Sequence, residues 1–370
     1  MLYLHRILSK DPMKTCFKIL FVLICSMIQG GSAGISAPAA STALVPMETT
    51  PKKTKVPVIF THGFGGTKTR RLLYTKGYEK FLSLFYSPGA FSHTSTTYLF
   101  DREIHNVTSF NFNDVQVDMG VYGSVPNPLV SHIGQEDDIE KLYAHLAKIN
   151  DQPIIGFGVS RGAATWLTTL GSKVITKNIA AVILESPFST TKNTYVYSLI
   201  GSLLDYAQTF IPRFDRASTN DQLFQNIFQS HSLTGIQPLH VIAMIDKKLP
   251  ILLVHSHQDE IIPINQSREI YLRFKESGHE HIYFLELEKG DHAGLIWGPQ
   301  GDLFRDVVHA FYKRYNLPCN DEFASKINLD DYQPSILEIQ ERINRWNAGP
   351  VTKQDPAEEG FFSACLNLFL

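Results

Sequence analysis

Short runs of branched and aromatic residues recur along the middle of the chain: VPVIFTHG (56–63), TSFNFND (108–114), PIIGFG (153–158), IAAVILES (179–186), LPILLVHS (249–256) and HIYFLELE (281–288). Each is the length of a strand and is apolar almost throughout. Between them, apolar residues fall at helical spacing in QEDDIEKLYAHLAKI (135–149), RGAATWLTTLG (161–171), QSREIYLRFKES (266–277) and DLFRDVVHAFYKRY (302–315). Strands apolar on both faces, separated by helices, predict an α/β architecture: a mostly parallel central sheet with helices on both faces. In such sheets the chemistry sits at the carboxyl ends of the strands.

The remaining segments pattern differently. Residues 17–28, FKILFVLICSMI, form an apolar run of signal-peptide length with Lys14 and Lys18 beside it and small residues Gly31 and Ala33 after it. Residues 1–33 are therefore expected to be a removable signal peptide, with Met13 the more ordinary start; an uncleaved anchor is the alternative. Residues 34–55 read as a flexible leader rich in Pro, Ala and Thr. The body is expected over 56–316. Within it, 190–248 spends nearly sixty residues on helical, aromatic-bearing sequence, and 317–370 forms a C-terminal extension whose segment 335–347 reads as a surface helix.

Composition adds limits. The 370 residues are 44% hydrophobic, enough for a large core. With 34 basic against 36 acidic residues the net charge is -2, so a nucleic-acid partner is not expected. The expected location is secreted or periplasmic, with no stable membrane span once the signal is removed. Of four cysteines, Cys319 and Cys365 would remain in the mature chain, either as a disulfide or as two separate thiols.

Candidate chemistry begins at GVSRG, residues 158–162, which fits G-x-S-x-G between an apolar strand and a helix. Side chains two residues either side of a serine on so tight a turn would strike neighbouring elements, and Gly158 and Gly162 remove them. The helix start favours a developing oxyanion. Oxyanion donors are expected from the N–H of Arg161 and from the glycine-rich turn HGFGG (62–66), at Phe64. That turn has neither the Walker lysine spacing nor the dinucleotide glycine spacing.

A serine needs a base, and the base needs an orienting acid. Among 14 histidines, His292 stands out, in KGDHAGL directly after the last strand. His62 reads as a structural partner in its turn. His255 and His257 share a strand face but lack a carboxylate or cysteine cluster with ligand spacing, so no metal is expected. His279 and His281 read as a solvated turn. For the acid, Asp259 in SHQDEIIP is favoured on chain order and loop position over Glu185 in ESPFS, with Glu260 and Asp291 further competitors.

The order Ser160, Asp259, His292, preceded by HGFGG, resembles the α/β-hydrolase superfamily. The motifs GVSRGAA, ESPFS, SHQDEIIP and GDHAGL look like those of its serine aminopeptidase and acylaminoacyl-peptidase-like hydrolases. The resemblance runs over about residues 55–315. It implies Ser160 as nucleophile, His292 as base and then acid, Asp259 as orienting carboxylate, and the insert at 190–248 as a small helical cap over the serine. No cofactor is implied. The peptidase members often carry a propeller domain for which this chain has no room, which leaves peptidase activity open. Three functions follow: a hydrolase cleaving an ester, thioester or amide in a small acyl or peptide-like substrate, an acyltransferase using the same intermediate, and a silent binding protein.

Overall fold

The computed structural model describes residues 55–63, 68–76, 98–112, 116–118, 124–126, 136–191, 235–320, 323 and 326–348. The expected signal peptide, nearly all of the leader, Phe64, Cys365 and most of the expected cap lie outside these residues. In chain order the strands are β1 (Val56–Thr61), β2 (His105–Ser109), a short antiparallel ribbon of β3 (Gln116–Asp118) and β4 (Ser124–Pro126), then β5 (Ile154–Val159), β6 (Ile179–Glu185), β7 (Ile251–Ser256) and β8 (Ile282–Leu287). Among the described residues the helices of eight or more residues are α1 (Glu136–Leu146), α2 (Arg161–Ser172), α3 (Asn265–Glu276), α4 (Gly301–Arg314) and α5 (Ile336–Asn347).

Six strands make one sheet in the order β2-β1-β5-β6-β7-β8, every neighbouring pair parallel. From β1 the chain steps outward to β2 and then returns to build the sheet in the other direction from β5. Loops leaving β1 and β5 therefore diverge, opening a crevice at the carboxyl ends where a ligand can sit. Ser160 follows β5 and His62 follows β1, so both stand at that crevice. This strand order, with a serine on the turn between a central strand and its helix, is the α/β-hydrolase arrangement.

The apolar runs alternate between two cores because successive strand residues face opposite sides of the sheet. Val58, Phe60, Ile155, Phe157, Ile183, Leu252, Val254, Tyr283 and Leu285 join Phe304, Val307, Val308 and Phe311 of α4 on one face. Ile59, Ile154, Val182, Leu184, Ile251, Leu253, Ile282 and Phe284 meet α1, α2 and α3 through Leu142, Trp166, Leu167, Ile270 and Phe274 on the other. Helix α5 closes this second layer with Ile339 and Ile343. A reciprocal cap between Ser335 and Glu338 starts it. As expected of a surface helix, α5 leaves Leu337 and Trp346 exposed.

Two readings of the sequence are corrected. The second strand pairs from Val56↔His105 to Phe60↔Ser109, starting three residues and ending five residues earlier than 108–114. The aromatic residues that suggested the later span lie beyond the strand, where Phe112 packs against His62 and Arg161. His279 is buried, edge-on to Phe274 at 4.9 Å, and desolvation pushes its pKa down to about 4. Gly278, at φ +78, turns the chain back so that His279 N–H reaches Phe274 O.

Helix α2 lies unusually close to the sheet. A Cβ at Gly162 would stand 2.3 Å from Thr61 O, and one at Gly158 2.7 Å from the backbone of Ala163. The helix is also pinned from α1. Arg161 donates from Nε and Nη2 to the two carboxylate oxygens of Asp138, each at 2.7 Å, and its guanidinium lies 4.2 Å from the Phe112 ring centroid. Both charged side chains are fully buried. Asp138→Ala would remove the buried carboxylate that accepts from Arg161 Nε and Nη2. The expected loss is about 3–5 kcal/mol of stability, read as an earlier urea midpoint; an unchanged midpoint would count against the pair as an anchor.

Candidate active site

Ser160 occupies the one-residue junction between β5 and α2. Its backbone sits at φ 53, ψ -116, a conformation that side-chain-bearing residues rarely adopt. Two bonds hold it there: Ser160 N–H donates to Glu185 O at 2.8 Å, and Ala164 N–H donates to Ser160 O at 3.0 Å. The hydroxyl consequently projects from the sheet edge at the start of α2. Arg161 is the first helical residue, where N–H groups have no acceptor within the helix. Gly63 closes the other side, since a Cβ there would lie 3.3 Å from Ser160 Cβ and 3.8 Å from Oγ.

His292 reaches this hydroxyl from the loop after β8. Its Nε2 is 2.9 Å from Ser160 Oγ and its Nδ1 is 2.7 Å from Asp259 Oδ2. A carboxylate only accepts, so Nδ1 carries the proton and Nε2 is left to accept from the serine. The ring side chain keeps 13% of its surface exposed, whereas Asp259 beneath it is buried. Burial works to raise the Asp259 pKa, but His292 and His255 beside it hold the carboxyl well below the usual range. Its Oδ1 also accepts the N–H groups of Ile261 and Ile262 at 3.0 and 2.9 Å.

Glu185, the rival acid, serves a different contact. Its Oε1 accepts Leu295 N–H at 2.9 Å, three residues past His292. Full burial raises its pKa to about 7, opposed by the Leu295 N–H, the Tyr74 hydroxyl, the Gly294 N–H and the charge of His292. The Tyr74 hydroxyl in turn accepts Gly294 N–H at 3.2 Å. Ala293 and Gly294 both have left-handed backbones, at φ 67 and 76. Glu185 and Tyr74 thus tie down the turn that carries the histidine.

The other candidates fall elsewhere. His62 Nδ1 lies 2.8 Å from Gly63 O and its ring packs edge-on against Phe112. His257 faces Glu286 at 3.1 Å, and His255 faces inward toward Asp259, so the two rings do not share a ligand. Among the described residues no cluster of His, Cys, Asp or Glu is arranged to hold a metal ion, and no helix is long and apolar enough to cross a membrane. Asp138, Tyr74 and the second role of Glu185 were not foreseen. Asp138 reads in the sequence as one more acid in the first turn of an acidic helix start.

No protein-family model matches the chain. It is 27% identical over 184 residues to the uncharacterized protein YqkD of Bacillus subtilis, covering 49% of this chain and 55% of that protein. It is 26% identical over 205 residues to the uncharacterized protein YfhR of Escherichia coli K12, covering 54% and 60%. The match thus spans little more than half the length of these curated relatives. Among solved structures, the Pyrococcus furiosus esterase Pf2001 overlaps with a TM-score of 0.42 at 18% identity, over 71% of this chain and 84% of that one. The uncomplexed Pyrococcus horikoshii acylaminoacyl peptidase gives 0.43 at 18%, over 76% and 40%. Overlap at this level leaves the chemistry to the residues of the chain itself.

The raised Glu185 pKa has a stability consequence. Between pH 4.5 and about 7 the unfolded chain ionises this residue while the folded chain keeps it protonated, so stability falls as pH rises through that window. A shift of that size corresponds to about 3 kcal/mol. Glu185→Gln retains a carbonyl for Leu295 N–H and cannot ionise. Its stability relative to the parent should climb from pH 4.5 to 7 and then level off in urea titrations. A difference that stays flat across the range would contradict the burial of this carboxyl.

Proposed function

We propose that the protein is a serine hydrolase that cleaves an ester, thioester or amide through an acyl-enzyme. The observation that carries the reading is the unbroken line of contacts from Ser160 Oγ to His292 Nε2 and from His292 Nδ1 to Asp259 Oδ2. In this reading His292 takes the hydroxyl proton as Ser160 Oγ bonds to the acyl carbon. The carbonyl oxygen becomes an oxyanion, received by the N–H of Arg161 and by the glycine turn after β1, with Phe64 as its expected donor. The tetrahedral species collapses, the bond to the leaving group breaks, and His292 gives that group the proton. Water then attacks the acyl-enzyme with His292 as base, releasing the acid and restoring the serine.

Several features support this assignment. A strained non-glycine backbone at Ser160 persists only where surrounding structure imposes it, and such strain gathers at functional sites. The ionised Asp259 fixes the tautomer that leaves Nε2 able to accept, and it offsets the positive charge that develops on His292. The substrate is taken to be a small acyl or peptide-like molecule, with residues 190–248 as its cover. Export belongs to the same reading, on the strength of the apolar run at 17–28.

A fluorophosphonate probe tests it. Labelling should vanish in Ser160→Ala and fall sharply in His292→Ala, and Asp259→Asn should lower kcat on a p-nitrophenyl ester by roughly 10³–10⁴ with the fold intact. Labelling retained in Ser160→Ala would sink the nucleophile assignment. Unchanged turnover in Asp259→Asn would move the acid elsewhere.

A further inference from the structure

A second histidine lies behind the acid. His255, next to last in β7, is fully buried in a strand otherwise made of Ile251, Leu252, Leu253, Val254 and Ser256. Its Nε2 is 2.8 Å from Ile262 O and 3.0 Å from Asp259 Oδ2, and its Nδ1 is 2.7 Å from Ser267 Oγ. A carbonyl only accepts, so Nε2 carries the proton and shares it between Ile262 O and Asp259 Oδ2. In the neutral ring Nδ1 then accepts the Ser267 hydroxyl proton.

These bonds place one carboxylate oxygen between two imidazole donors. Asp259 Oδ2 meets His292 Nδ1 on the exposed side and His255 Nε2 on the buried side. The turn itself is held twice, because Oδ1 accepts from Ile261 and Ile262 while His255 bonds the carbonyl of that same Ile262. Without the imidazole, Ile262 O would lose a buried donor and Oδ2 would be free to turn away from His292.

We infer that His255 is a positioning residue of the catalytic group: its shared N–H aims Asp259 Oδ2 at His292 Nδ1, and the Ser267 hydroxyl fixes the ring that does so. The inference rests on the hydrolase reading and extends it from three residues to five. A polar ring in the apolar interior of β7 is costly unless every nitrogen is bonded, and each bond His255 makes leads to the acid's turn or to the hydroxyl that orients the ring. The titratable groups facing this pair are Asp259 and His292, with Glu185 of β6 acting on His292 from the side.

The test uses the full chain with p-nitrophenyl acetate, comparing the parent with Ser160→Ala, His255→Phe, His255→Gln and Ser267→Ala. Phenylalanine keeps the ring's bulk but supplies no donor. His255→Phe should lower kcat by about tenfold or more with KM little changed. It should also lower the acid-limb pKa of kcat/KM by about half a unit or more, because a poorly aimed Asp259 supports the His292 imidazolium less. Glutamine, whose amide N–H reaches toward the same acceptors, should restore part of both. Ser267→Ala should move kcat and the limb in the same direction by less. Parent values of kcat and of the limb in folded His255→Phe would overturn the inference. If that variant does not fold, parent values in Ser267→Ala overturn it instead. A merely structural role would lower the yield of folded protein and leave the limb in place. Turnover that survives in Ser160→Ala would mean that the hydrolase reading itself has failed, which separates the two outcomes.

Discussion

The close seating of helix α2 on the sheet is the constraint from which the rest of the site follows. With no side chain at Gly158 or Gly162, the helix begins one residue after β5 ends, and Ser160 must bridge the two at φ 53. A backbone of that kind costs about 1–3 kcal/mol. The cost is offset locally: Ser160 N–H is held by Glu185 O, Ser160 O by Ala164 N–H, and the next side chain by the buried pair with Asp138. Were the helix free to withdraw, the turn would relax and the hydroxyl would leave the position that His292 Nε2 meets at 2.9 Å.

The same rim holds two buried carboxyl groups in opposed electrostatic states. Asp259 is surrounded by donors, two backbone N–H groups and two imidazoles, and its negative charge is strongly favoured. Glu185 lies deeper, and burial outweighs its few donors, so its pKa rises to about 7. Environment rather than residue type thus separates the charged Asp259, bonded to His292 Nδ1, from Glu185, whose pKa is pushed up to about 7 and whose carboxyl secures the loop through Leu295 N–H.

The strands were legible because burial on both faces leaves little choice of residue: β1 and β5 to β8 lie within two residues of their expected spans at either end. The edge strand β2 was misplaced because pairing with β1 favours HNVTS, while the aromatics beyond it do their packing as a loop. Ser160, His292 and Asp259 were legible as residues at strand ends in a particular order. Their supports were not. Asp138 carries the same signature as a solvated helix-start acid, and only the fold shows that α1 turns it toward Arg161. His255 and Glu185 are polar residues near the ends of apolar strands, and no spacing rule connects Ser267 or Leu295 to them. His279 looked solvated because glycine and charged neighbours surround it, yet the turn at Gly278 returns it to Phe274.

Backbone strain in the described residues has a location that follows from this arrangement. Four non-glycine residues there have positive φ; Ser160 and Ser186 stand one residue past the carboxyl ends of β5 and β6, and Ala293 lies in the loop after β8. Ser160 and Ala293 belong to the turns that carry the serine hydroxyl and the His292 ring. Strain can be maintained at that edge because the strands behind it are paired and buried: β5, β6, β7 and β8 are parallel neighbours, with one register shift at Ile154/Ile155, and bury branched and aromatic residues on both faces. A loosely packed sheet would let each strand end relax independently, and the contacts of His292 with Ser160 and Asp259 would no longer be held. The apolar core therefore bears directly on the geometry of the candidate site, by holding three loops distant in sequence in fixed relation.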